Sequence, residues 1–174
     1  MHAFILITEV VLVAAFLIHI INAIRLTLGN WAARPQRYAV KPAQQQSESA
    51  SRTMWISASI IFIFLAIHLV NFYYVFKYGT LPQAYYIGEE KNYFMIVTEA
   101  LSTPWIASIY LAAVFLLGFH LYHGFQSAFQ TLGINHKKYT PFILFVGRAY
   151  AIIVAAGFAS FPIYFTLLHF LGGK

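Results

Sequence analysis

The chain has 174 residues, 60% of them apolar and only 9% charged, with a formal net charge of +6 and no cysteine. So large an apolar excess with so few charges excludes an ordinary soluble domain and points to a polytopic membrane protein. The missing cysteines exclude disulfides, thiolate zinc sites and iron–sulfur clusters ligated by this chain. The positive balance arises because acids are scarce, only Glu9, Glu48, Glu89, Glu90 and Glu99, and it reads as membrane topology rather than nucleic-acid binding.

The length accommodates one all-α membrane domain, residues 1–174, of four spans at roughly 20 residues each. Span one is expected over 3–28, stopped by Gly29-Asn30. It has no basic n-region or small-residue cleavage site, and it is too long and continuous for a signal peptide. Trp31 to Arg52 is polar, with two prolines and the tract Gln44-Gln45-Gln46-Ser47-Glu48-Ser49, so it reads as a loop. Span two follows over 53–76. The next loop carries Pro82, Gly88, Glu89, Glu90 and aromatic residues suited to an interfacial belt. A short amphipathic piece from Asn92 to Ser102 leads to Pro104, well placed at the first turn of span three, 104–132. Asn135-His136-Lys137-Lys138 makes the third loop, and Pro141 opens span four, 141–171. In that span Gly147, Ala151, Ala155 and Ala159 recur every four residues, which predicts a face that another helix approaches closely. Pro162 predicts a kink.

Arg25, Arg34, Arg37, Lys41 and Arg52 flank the first loop, and Lys137, Lys138 and Arg148 flank the third. The middle loop offsets Lys77 and Lys91 with Glu89 and Glu90. The positive-inside rule then makes the first and third loops cytoplasmic and turns both termini outward.

Three spans each bury a histidine, and a buried polar group in hydrocarbon needs a partner. His19 has Ala15 and Ala23 one turn to either side, and His120 has Gly124 one turn on. Such small neighbours bare the helix surface beside the ring, as a flat cofactor would require. His19 lies ten residues before Gly29 and His120 thirteen before Gly133, so their depths differ by only ~5 Å. That matching is compatible with two axial ligands holding one haem iron between facing helices. The competing reading, a histidine satisfied by a backbone carbonyl, fits an isolated case better than it fits this set.

His68 falls in the outer half of span two and finds no second ligand. His169 lies 28 residues after Pro141, about 42 Å of helix, and reads as interfacial. His123 shares a face with His120 and suits a hydrogen bond to a haem propionate. Arg25, six residues past His19, could pair with propionates or snorkel to the interface. Glu9 is open to a proton-handling or quinone-side role. His2 and His136 stand at segment ends.

The stretches Phe16-Leu17-Ile18-His19-Ile20-Ile21-Asn22-Ala23-Ile24-Arg25, Ile67-His68-Leu69-Val70-Asn71-Phe72 and Gly118-Phe119-His120 through Gly133 resemble the cytochrome b anchor subunit of succinate:quinone oxidoreductases and fumarate reductases, the single-anchor dihaem type. Arg34-Pro35 to Arg37-Tyr38 fits as well, and the resemblance runs over essentially the whole chain. That family has five spans and four axial histidines. The resemblance implies that His19 and His120 hold the iron of the proximal haem, and that His68 is one ligand of the distal haem. The other distal ligand belongs to a first helix absent from this sequence, which reads as truncated ahead of Met1. One haem b is then expected here, against two in the family. The implied partners are a flavoprotein, where succinate is oxidised, and an iron–sulfur subunit on the cytoplasmic loops. Electrons would pass to a membrane quinone, menaquinone in this class, at the inner (cytoplasmic) membrane.

Three other readings compete. The b-type anchor of a hydrogenase or formate dehydrogenase would share the histidines but not the His120-to-Gly133 stretch. A proton-coupled transporter would need broken helices or paired acids at mid-membrane. A cofactor-free anchor would leave the histidines satisfied by neighbours.

Overall fold

The computed structural model describes residues 2–33, 54–134 and 136–172. The Arg34–Tyr38 run, the glutamine tract, Lys41, Arg52 and Asn135 lie outside the described residues. Contacts divide the chain into two units, Met1–Ser47 and Glu48–Lys174, and each is described by itself.

The first unit contributes one helix, α1 (His2–Ala32). It runs straight through Gly29-Asn30, where a stop was expected. Glycine and asparagine end a helix by adopting a left-handed conformation, and Gly29 does not adopt one. Inside a helix a glycine costs only about 1 kcal/mol relative to alanine, and the long apolar run before it offsets that. Gly133 shows the contrasting case: its φ of 73° ends its helix, and the Ile134 N–H closes back onto the Phe129 carbonyl at 3.0 Å.

In the second unit α2 (Met54–His68) continues without a break into a π-helical stretch, Leu69–Tyr74, and a last α-turn, α3 (Val75–Lys77). Lys91 closes this helix. Its Nζ donates to the carbonyls of Val75 and Phe76, 3.0 Å each, at the end where a cation meets the negative pole of the helix dipole. A short cap follows, with a 3-10 turn (Gln83–Tyr85) and a two-stranded antiparallel ladder of β1 (Tyr86–Ile87) on β2 (Glu90–Lys91), paired Tyr86 to Lys91 and Ile87 to Glu90. The expected amphipathic piece is α4 (Tyr93–Ser102), capped by the Asn92 side chain, which accepts from the Met95 N–H at 3.1 Å.

The Tyr85 hydroxyl donates to Glu99 Oε2 and ties the cap to α4. That hydrogen bond, then a little desolvation and the carboxylate's charge, hold the phenol above its ordinary value of 10. The bond's contribution is therefore present below that ordinary value and is lost as pH rises through the raised one. A difference alkaline titration of wild type against Tyr85→Phe should show this tyrosine ionising late. Glu99→Ala should return it toward the ordinary value.

α5 (Pro104–Thr131) carries Pro104 at its first turn, as expected, and α6 (Thr140–Gly172) begins one residue before Pro141. The four-residue stripe on α6 is the packing face. Gly147 and Ala151 are buried, and the Ala155 Cβ lies 3.3 Å from where a Cβ on Gly118 would sit. α6 stays helical across Pro162, whose side chain is fully buried. Nearby, the Thr166 hydroxyl donates to the Leu101 carbonyl at 3.0 Å, joining α6 to α4.

Among the described residues four helices, Ala3–Ala32, Met54–Lys77, Pro104–Thr131 and Thr140–Gly172, are long and apolar enough to cross a membrane. Large apolar side chains also face outward from the packed unit; Phe145 and Ile153 on α6 are 68% and 69% exposed. In water such a surface would drive association, whereas against lipid it is the expected outer face.

Candidate functional site

α5 organises the second unit, packing against both α2 and α6. Tyr110, Ala113, Leu117, His120 and Gly124 recur along it at spacings of three and four residues, which places them on one stripe. The other side of α5 is closed by the small-residue face of α6. There a Cβ on Gly147 would lie 2.6 Å from Phe125 Cδ1.

Beside His120 the surface is open. A Cβ built on Gly124 meets nothing within 4 Å, so that glycine is not required by helix packing within the unit. His120 and His123 are both half-buried, with Nδ1 of each shielded from solvent. The His123 Nδ1 has no hydrogen-bond partner among the described residues. A buried ring nitrogen left unsatisfied is costly, so this one has the chemistry to receive or give a hydrogen bond to a bound group.

His68 closes α2 and is held by α5. Its Nδ1 lies 3.2 Å from the Tyr110 hydroxyl, so Nε2 is the nitrogen left to a ligand. The ring is walled by aromatics, with Phe64 stacked at 6.0 Å and Phe72 tilted at 5.3 Å between centroids. Tyr110 stands ten residues before His120, about 15 Å of helix at 1.5 Å per residue. His68 and His120 therefore occupy two levels of the unit.

His19 and Arg25 lie on α1, in the first unit. His169 is exposed near the end of α6 and packs its ring edge-to-face with neighbouring Phe170 at 5.7 Å. His136 sits in the third loop, where its Nδ1 accepts from the Lys138 N–H at 3.2 Å. Arg148, grouped with that loop from its charge, is a residue of α6. Its guanidinium lies 5.9 Å from the Tyr122 ring centroid.

Comparison of the chain with protein-family models, with curated proteins and with solved structures found no match. The site therefore rests on its own chemistry. Among the described residues no group of three or more His, Asp and Glu side chains is placed to share a metal ion, and axial haem ligation asks only for single imidazoles from separate helices. The second unit offers one imidazole at each of two levels, His120 beside open space and His68 with its Nδ1 already held. Tyr110 was not singled out from the sequence. Its place on the stripe that carries His120 was the signal that could have found it.

Proposed function

We propose that this chain is the membrane-anchoring, electron-transferring cytochrome b subunit of a succinate:quinone oxidoreductase or fumarate reductase. The observation that carries the reading is the open wall at Gly124 beside an intramembrane imidazole, on the side of α5 away from its close contact with α6. The sequence resemblance around His19, His68 and His120 supplies the class. In this reading His120 and His19 are the two axial ligands of the proximal haem, and His68 is one ligand of the distal haem.

Bound haem would supply a one-electron redox centre suited to pass electrons from an iron–sulfur subunit to a membrane quinone. The protein's own part is ligation, orientation and low-dielectric burial, which tune that centre. His123 offers its buried Nδ1 to a propionate, and Arg25 offers a guanidinium on the helix of His19. The first and third loops would face the cytoplasm and receive the iron–sulfur and flavoprotein subunits. The long helices run without a break, which speaks against a transporter built on interrupted spans.

The test is haem per polypeptide by pyridine haemochrome on the detergent-purified chain, beside His120→Ala. Haem in the wild type that falls by one equivalent in the variant is the expected result. Unchanged haem in His120→Ala, or none in the wild type, would remove His120 from the ligand set.

A further inference from the structure

His68 and Tyr110 are 42 residues apart in sequence and meet across two helices at 3.2 Å. The contact is not a loose surface pair. Phe64 packs edge-on to the Tyr110 ring at 4.8 Å and stacks near His68. Phe72, itself buried, sits edge-on to Tyr110 at 6.1 Å. The phenol cannot swing away without repacking both. His68 also stands where the α-helix gives way to the π-helical stretch, and such π-turns concentrate at functional sites.

We propose that Tyr110 is the positioning residue of His68. Its hydroxyl oxygen accepts the Nδ1–H, which locks the ring's orientation and tautomer and leaves the unprotonated Nε2 as the nitrogen presented to a metal. This rests on the reading of His68 as a haem ligand.

The chemistry decides between this and a plain packing contact. An imidazole can ligate through Nε2 only if its remaining proton is on Nδ1, and ligating histidines usually donate that N–H to an oxygen. A histidine held only for packing is served equally by the reverse bond, in which the phenol donates to Nδ1 and Nε2 keeps its hydrogen. The two arrangements share one heavy-atom distance and differ in where two protons sit.

Tyr110→Phe keeps the ring among Phe64 and Phe72 and removes only the hydroxyl. The first measurement is the ring nitrogen shifts of His68 in the haem-free chain, labelled with 15N-histidine and assigned through His68→Gln. A protonated Nδ1 and bare Nε2 in the wild type, lost in Tyr110→Phe, is the expected result. The second is a haemin titration in a His19→Ala/His120→Ala background, which removes both ligands proposed for the other haem and leaves His68. There Tyr110→Phe should weaken binding about 10–100-fold, the usual loss on removing an outer partner of a ligating histidine.

An Nε2–H tautomer in the wild type, or haemin binding untouched by Tyr110→Phe, would overturn the proposal. Absence of haemin uptake in every form would sink the ligand reading of His68. The nitrogen shifts would still decide whether Tyr110 sets the tautomer.

Discussion

Gly124→Leu is expected to leave the second unit folded and to abolish haem retention at His120. A Cβ at this position meets no atom within 4 Å, so the new side chain extends into open space rather than into a neighbouring helix. Helix propensity favours the change, since glycine is the poorer helix former by about 1 kcal/mol. The added isobutyl group would occupy the face where a flat macrocycle bound through His120 must lie. Gly124→Ala is the graded companion: a single methyl should be tolerated by the fold and should weaken haem retention less than leucine does. Circular dichroism and size exclusion in detergent report the fold, and pyridine haemochrome reports the cofactor. Full haem content in a well-folded Gly124→Leu would show that the open face is not where haem sits.

The sequence already hinted at this contrast, with Gly147 in a four-residue stripe that predicts a helix contact and Gly124 one turn after His120, where a small residue bares the helix surface. The distances put numbers on it: a Cβ on Gly147 would meet Phe125, and one on Gly124 would meet nothing within 4 Å. The spans themselves were legible, because long runs bounded by Pro104, Gly133 and Pro141 leave few choices of start and stop. The stop at Gly29 was misplaced for a related reason: a glycine ends a helix only when the backbone beyond it turns away, and no single residue states that. The stripe through Gly147, Ala151 and Ala155 was legible because its period is the helix's own. Tyr110 was overlooked, since its value lies in a hydrogen bond to a residue 42 positions away, and its place on the His120 stripe was the one mark the sequence offered. Three histidines set in apolar spans were the strongest functional signal, because an imidazole within a membrane span demands a partner.

The second large effect is structural. Gly147→Ala is expected to destabilise the α5–α6 pair by about 1–3 kcal/mol, the usual range for overpacking a well-filled contact. The ideal Cβ would stand 2.6 Å from Phe125 Cδ1 and 3.2 Å from both Cε1 and Cγ, so the whole ring edge must retreat. Retreat is obstructed by Phe129, whose ring centroid is 4.9 Å from that of Phe125, and by Tyr150 at 5.8 Å. Phe125→Leu removes the obstructing ring edge, so the double variant should recover part of the loss, a non-additivity expected of residues in direct contact. Thermal unfolding in detergent measures all three variants against wild type. Strictly additive losses would mean that Gly147 matters for a reason other than Phe125. A neutral Gly147→Ala would mean that α5 and α6 are not held this close. Because Phe125 follows Gly124 on α5, loosening this contact also bears on His120. Gly147→Ala should therefore lower haem content only as far as it lowers stability, whereas Gly124→Leu should lower haem content at unchanged stability.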